Sequence, residues 1–265
     1  MDHIIIVRGG GDLATGVIQK LFRVGLPVVI LETTRPTAIR RSVALCEAVY
    51  NGHMQVEDVF CRKADRIDQL TECWKKDEVP LLIDPDGRCI QEIKPAAVID
   101  AILAKRNIGT NRQMADITIG LGPGFTAGVD VDAVIETMRG HDLGRLILDG
   151  AAMPNTGIPG LIGGFSKQRV LHAPKAGILQ CQKQIGDVCE SGETIFRIGG
   201  EAVCAPFTGL LRGLLPDGMD IPAGMKTADI DPRTDVDWHT ISDKARCLGG
   251  AVLEAYFYLR RQHNF

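Results

Sequence analysis

Apolar and polar positions along the chain fall into short blocks separated by glycine and proline. Ile4, Ile5, Ile6 and Val7 form an unbroken β-branched run, the pattern of a strand covered on both faces. Gly9 to Gly16 follows, and then Val17, Leu21 and Val24 at helical spacing, so a strand, a glycine turn and a helix are predicted. After Gly25 the run from Pro27 to Leu31 reads as a second buried parallel strand that ends on Glu32. Val79 to Ile83, stopped by Asp84-Pro85, predicts another strand. In residues 95–104, Pro95 at a first helical position and apolar Val98, Ile99, Ile102 and Leu103 predict a helix. Residues 116–121 predict a strand running into the turn Gly120 to Phe125, residues 131–138 a helical stretch, and residues 145–149 a further strand.

The C-terminal half repeats itself. Shifted by 32 residues, Ala173 meets Ala205, Pro174 meets Pro206, Gly177 meets Gly209, Leu179 meets Leu211, Gly186 meets Gly218 and Gly192 meets Gly224. Such a repeat marks two copies of one small β unit, neither able to bury its own face, that interlock into a flattened barrel. Residues 168–230 resemble the biotinyl/lipoyl-like barrel-sandwich hybrid domains, which carry this Ala-Pro-x-x-Gly and Gly-Asp-x-x-x-x-Gly pattern. The hairpin that holds the modified lysine in those carriers reads Arg197-Ile198-Gly199-Gly200-Glu201 here, so no lipoate or biotin is expected. From Trp238 on, Ile241, Ala245, Leu248, Val252, Ala255 and Leu259 lie on one helical stripe, with Thr240 or Ser242 as the cap and Gly249-Gly250 suited to close packing on another backbone. The expected fold is α/β: a Rossmann-like parallel sheet with helices over residues 1–165, a small barrel-sandwich hybrid over 166–236, and a helix over 237–265. That helix packs on the first domain or makes a homodimer contact.

The glycine turns carry the first candidate chemistry. Strand, glycines, helix, and an acid roughly twenty residues beyond Gly11 together form a dinucleotide-binding signature. Gly9 and Gly10 make the tight turn, Gly11 admits a pyrophosphate, and the helix start at Asp12, Leu13, Ala14, Thr15 and Gly16 points free N–H groups at it. Glu32 would accept ribose hydroxyls and disfavour a 2′-phosphate, which points to NAD or another adenine ligand; an inherited turn without a nucleotide is the alternative. Gly120, Gly122, Gly124 and Phe125 form a second glycine loop at a strand end, either lining the same crevice or serving as a tight turn. Arg40 and Arg41 would grip phosphate or carboxylate, or form a solvated face. Cys46 follows them closely enough for its thiol to be acidified, against the alternative of a buried structural thiol. His141 and Asp12 are the candidates for proton transfer in an NAD-dependent oxidoreductase.

Composition narrows these readings. The 265 residues hold 30 Lys+Arg against 33 Asp+Glu, a net charge of −3 without a basic block, which argues against nucleic-acid and membrane-surface partners. The 8 cysteines form no Cys-x-x-Cys and have no nearby histidine to complete a zinc pattern, so no structural metal is expected. Free thiols, and an N-terminus with Asp2 before a short strand rather than a signal peptide, suit a reducing cytoplasm. Gly160 to Lys167 lacks the Gly-Lys-Ser/Thr of a Walker A loop.

Taken end to end, the chain is similar to the YqeB-type accessory proteins of selenium-dependent molybdenum hydroxylase systems, and more remotely to XdhC-type maturation factors. The stretches that carry the similarity run from Val7 to Gly16, Ala38 to Arg41, Gly120 to Phe125, Arg139 to His141, Pro154 to Gly157, Arg212 to Leu215 and Asp229 to Arg233. The resemblance implies a cytoplasmic accessory factor that matures or supplies the molybdenum cofactor, with the cofactor and a molybdenum hydroxylase apoenzyme as partners. No XdhC cofactor-binding residue is carried over, because here the Rossmann-like part leads and a β unit follows.

Overall fold

The computed structural model describes residues 3–263; Met1 and Asp2, which entered the reading of the N-terminus, lie outside them. The chain divides into two compact units. One comprises the residues up to Pro36, Ala44–Asn155 and the chain from Ile241 onward, and the other Thr37–Val43 with Thr156–Thr240.

The first unit is built on a mixed sheet. Its elements are β1 (Ile5–Arg8), α1 (Asp12–Arg23), β2 (Val28–Glu32), α2 (Ala48–Asn51), β3 (His53–Val56), β4 (Val59–Ala64), α3 (Leu70–Trp74), β5 (Glu78–Ile83), α4 (Ile90–Ile93), β6 (Ala97–Asp100), β7 (Ile117–Leu121), β8 (Thr126–Ala127), β9 (Ala133–Ile135), β10 (Leu146–Ile147) and β11 (Gly150–Ala151). Nine strands pair in the order β10-β9-β7-β6-β1-β2-β5-β4-β3. All inner pairings are parallel, and the edge strands β3 and β10 run antiparallel to their neighbours. In register, Ile5 lies between Val28 and Ala97. The β-branched runs predicted as buried strands are buried at every position of β1, β2 and β7. Ile4, Ile6, Val29, Leu31, Leu82 and Val98 pack with Leu70 and Ile90 on one face.

The C-terminal helix α5 (Asp243–Gln262) belongs to this unit. Ser242 is its cap, accepting the Ala245 N–H at 3.2 Å, and the apolar stripe is buried throughout. α5 packs backbone to backbone on α1. A Cβ on Gly249 would lie 2.2 Å from the Gly16 carbonyl oxygen, whereas one on Gly250 would meet nothing within 4 Å.

Two predicted helices are strands instead. Residues 97–100 form β6 beside β1, because Ala97, Val98 and Ile99 are a short run buried on both faces, which periodicity alone cannot tell from a helix segment. Leu103 and Lys105 then take left-handed φ values of 60° and 63°, which a helix through residue 104 would forbid. Residues 133–135 form β9, parallel to β7 and antiparallel to β10. Ala133, Val134 and Ile135 are completely buried there, so that segment has no polar face with which to make a surface helix.

The second unit consists of β12 (Val170–His172), β13 (Gly177–Cys181), β14 (Val188–Cys189), β15 (Thr194–Ile198), β16 (Glu201–Cys204), β17 (Gly209–Leu214), β18 (Asp220–Ile221) and β19 (Lys226–Asp231). They form two four-stranded sheets, β12-β19-β17-β14 and β16-β15-β13-β18. The two orders interchange when each strand is replaced by its counterpart in the other half, so the 32-residue repeat is a structural pseudo-two-fold. The turn hydrogen bonds repeat with it: Gly186 N–H donates to Leu211 O as Gly218 N–H does to Leu179 O, and Gly192 N–H to Ala205 O as Gly224 N–H does to Ala173 O, at 2.8–2.9 Å. Leu179, Ile195, Phe196, Leu211 and Ile230, all 0% exposed, fill the space between the sheets.

The α1–α5 contact yields a paired prediction. Gly249→Ala forces the two backbones apart and lowers stability by about 1–3 kcal/mol, while Gly250→Ala raises it by about 0.5–1 kcal/mol through helix propensity. Urea unfolding of both variants checks this, and equal effects would contradict the close approach.

Candidate functional site

Sheet order locates the site. From β1 the chain builds outward through β2 and β5 on one side and through β6 and β7 on the other, so β1 and β6 flank a topological switch point, where ligands of open parallel sheets bind outside the carboxyl ends. The first glycine turn leaves β1 there. Gly9 has φ +95°, and a Cβ on it would lie 3.1 Å from the backbone of Ala101 and Ile102. Gly10 is pressed against Cys46, whose N–H donates to Gly10 O at 2.8 Å. Gly11 is the N-cap of α1, and Gly11, Asp12 and Leu13 are half-buried at the sheet edge. Ala14 and Thr15 are buried; the Thr15 hydroxyl donates to Gly11 O at 2.9 Å and accepts Leu45 N–H at 3.1 Å. Gly16 faces α5.

Glu32 is 9% exposed. Its Oε2 accepts the Gly10 N–H at 2.8 Å and its Oε1 the Thr33 N–H at 2.7 Å. Burial raises its pKa, with the two amides acting against that shift. Of the two readings of Cys46, the structure gives the buried thiol: burial pushes its pKa well up, and the charges of Glu32, Glu47 and Asp12 act in the same direction. Arg40 and Arg41 belong to the second unit, where Arg40 pairs with Asp229 at 2.7 Å and Arg41 donates to Leu214 O at 2.8 Å.

The second glycine loop is tightly packed. Cβ atoms on Gly120, Gly122 and Gly124 would lie 2.4–2.6 Å from Phe125, Thr137 and the Arg106 backbone, respectively. Phe125 itself is buried with Ala127, Val131 and Val134. His141 is exposed in the turn between β9 and β10. Its reading as the end of a helix disappears with that helix.

Three residues that the sequence did not single out form the buried polar centre of the edge. Arg8 ends β1 on the same face as Ile4 and Ile6. Its Nη1 donates to the Thr110 hydroxyl and its Nη2 to Pro85 O at 2.8 Å. Thr110 in turn donates to Asp100 Oδ2 at 2.6 Å, and Asp100 Oδ1 accepts the Ile102 N–H at 3.1 Å. Arg8 Nη1 stands 3.9 Å from Asp100 Oδ2. Burial raises the Asp100 pKa; the Thr110 and Ile102 hydrogen bonds and the Arg8 charge oppose it. Arg8 Nε is buried with no acceptor. The segments that Arg8 joins, around Pro85 and Thr110, continue into the walls of an open groove of about 640 Å³ lined by Asp86, Arg88, Lys94, Asn111, Gln113 and Asp116, among others. A signal for this centre existed: apolar strands end on Arg8, Glu32 and Asp100, and Asp84 follows another. Among the described residues no group of three or more His, Cys, Asp or Glu side chains is placed to hold a metal ion, and no helix is long and apolar enough to cross a membrane.

No protein-family model matches the chain. It is similar to the uncharacterized protein YqeB of Escherichia coli K12, at 46% identity over 261 residues that make up 98% of this chain and 48% of that protein. The chain therefore spans about half the length of the curated relative it matches. Among solved structures, an aspartoacylase family protein from Mesorhizobium loti aligns at 11% identity over 88% of this chain and 86% of its own, with a TM-score of 0.28. The product-bound ectoine utilization protein EutE (DoeB) from Ruegeria pomeroyi aligns at 9% identity over 86% and 85%, with a TM-score of 0.25.

Two measurements check this geometry. A maleimide labels the exposed Cys204 and Cys247 of the native protein, whereas Cys46, buried and raised in pKa, is labelled only after unfolding; rapid native labelling of Cys46 would contradict its surroundings. Because the Glu32 pKa is raised by folding, its contribution to stability is fully present below about pH 4.3 and is lost as pH rises through the folded value. Glu32→Gln does not titrate, so wild-type stability relative to the variant falls across that window. An unchanged difference in pH-dependent unfolding would refute the shift.

Proposed function

We propose that the chain is a YqeB-type accessory factor of selenium-dependent molybdenum hydroxylases, acting in the cytoplasm, that binds a phosphorylated cofactor at the carboxyl edge of the first unit's sheet. The observation that carries the binding role is Arg8, a buried cation with an unsatisfied Nε at the switch point, beside a groove of about 640 Å³, a volume in the usual range for small ligands. Arg88, which follows β5 and lines the groove, would hold the phosphate of a pterin or adenine ligand. The cofactor would bring the redox chemistry; this chain's residues would bind and orient it. In this reading the second unit is an unmodified barrel-sandwich hybrid that docks the hydroxylase apoenzyme, a shape supported by its pseudo-two-fold sheets.

The other reading, an NAD-dependent oxidoreductase, draws support from the parallel β1-α1-β2 unit. It is weakened at the residue it needs most, because Glu32 has both carboxylate oxygens engaged by Gly10 and Thr33 rather than turned to a ribose. Thermal unfolding with NAD, NADP, FAD, AMP, CTP and molybdenum cofactor extract separates the two. A bound ligand at about 100 times its Kd adds about 2.7 kcal/mol. Stabilisation by the cofactor extract but not by NAD is expected. A shift with NAD alone that Glu32→Ala abolishes would hand the site to the oxidoreductase, and a silent panel would remove the phosphorylated ligand from the proposal.

A further inference from the structure

The second unit holds a cluster of buried charge that the proposed function does not use. Asp229 and Asp231 alternate along β19 with the core residues Ala228 and Ile230, so they point to the outer face of their sheet, yet they are 2% and 0% exposed. Each carboxylate is shared by two guanidiniums. Asp229 takes Arg40 through Oδ2 at 2.7 Å and Arg169 through Oδ1 at 3.2 Å. Asp231 takes Arg212 at 2.8 Å and Arg233 at 2.8 Å and 2.9 Å. Arg169 and Arg212 are themselves only 3% and 7% exposed.

Neither buried arginine has its donors filled. Arg169 donates from Nη1 to Gly160 O, but its Nε is buried with no acceptor. Arg212 donates from Nη1 to Asp231, and the rest of its fork of N–H groups reaches solvent. Burial lowers the pKa of both, and the neighbouring arginines push in the same direction. Binding the Thr37–Val43 segment accounts for Arg40, since Leu214 N–H also donates to Ile39 O at 2.9 Å. It does not account for Arg169 and Arg212.

The repeat supplies an internal control. At the positions equivalent to Arg212 and Asp229, the other half carries Gln180 and Arg197, both exposed and directly paired in register. Between β17 and β19 the register instead slips at Arg212, with Leu211 opposite Ile230 and Gly213 opposite Asp229. A bulge of this kind re-aims a side chain. The same backbone is thus complete without buried charge in one half and departs from regular pairing to accommodate Arg212 in the other.

We infer that Arg169 and Arg212, steadied by Asp229 and Asp231, form a binding site for a phosphate group, either free or as a monoester. Guanidinium forks match phosphate oxygens two at a time, and a dianion satisfies two cations that each share a carboxylate. The site belongs wholly to the second unit and is independent of the ligand proposed for the first.

Titration calorimetry of the whole chain with inorganic phosphate and with phenyl phosphate, at constant ionic strength against chloride, tests the inference. Saturable binding is expected, about tenfold weaker in Arg212→Lys and in Arg169→Lys, the scale of one charge-assisted hydrogen bond, and unchanged in Arg197→Gln at the equivalent position. A preference between the two probes tells whether the group is bound free or as an ester. Trp238 lies in the second unit and Trp74 in the first, so phosphate should raise the unfolding midpoint seen by Trp238 in a Trp74→Phe background, which separates this site from the first unit's. If a lysine variant does not fold, the wild-type titration and the Trp238 midpoint decide. No saturation up to about 10 mM, where an affinity of about −4 kcal/mol would already show, or an equal loss in Arg197→Gln, overturns the inference.

Discussion

A parallel sheet covered on both faces leaves charge one place to stand, the ends of its strands, and charge buried there must find partners inside the protein. β1, β2 and β6 are buried along their whole length and end on Arg8, Glu32 and Asp100. An unpaired ion at such a place costs several kcal/mol, so the loops beyond the strands are shaped to supply partners. Thr33 and the glycine turn give amides to Glu32, while the segments after β5 and β6 bring Pro85 O and Thr110 to Arg8. The course of the loops at the carboxyl edge follows from satisfying these three side chains.

Glycine in this chain answers mainly to packing. Gly9 yields to Ala101 and Ile102, Gly10 to Cys46 and Gly16 to Ala245, so most of the glycine fingerprint after β1 is explained by what it touches within the first unit. Gly11, with nothing within 4 Å of its missing Cβ, is the member whose surroundings leave room for something else. A ligand argument for this edge therefore rests on Arg8 and its unsatisfied Nε more than on the glycine pattern.

Local pattern made β1, β2, β5, β7 and α5 legible, because each has a long uniform or periodic run with clear stops. It failed at β6 and β9, where three or four apolar residues suit a strand and a helix turn equally and the sheet decides. The glycine turns were legible as turns, but most of what fills them was not, since Cys46, Arg106, Thr137 and α5 arrive from other parts of the chain. The Arg8–Thr110–Asp100 centre was marked only in part: apolar strands end on Arg8 and Asp100, but Thr110 lies 102 residues from Arg8, and no spacing rule connects them.

The internal repeat shows where sequence carries more than fold. Matching glycines, alanines and leucines at a fixed offset specify the turns and the core of both halves, and the two sheets obey that symmetry in strand order and in turn hydrogen bonds. Residues outside the matched set are free to differ without cost to the scaffold. That freedom is spent unequally, with Gln180 and Arg197 in solvent in one half and Arg212 and Asp229 buried in the other. Burying charge is unfavourable by itself, and the repeated core and turns do not require it, since the other half does without. A symmetric backbone with an asymmetric buried charge cluster thus distinguishes what the scaffold needs from what has been added to it.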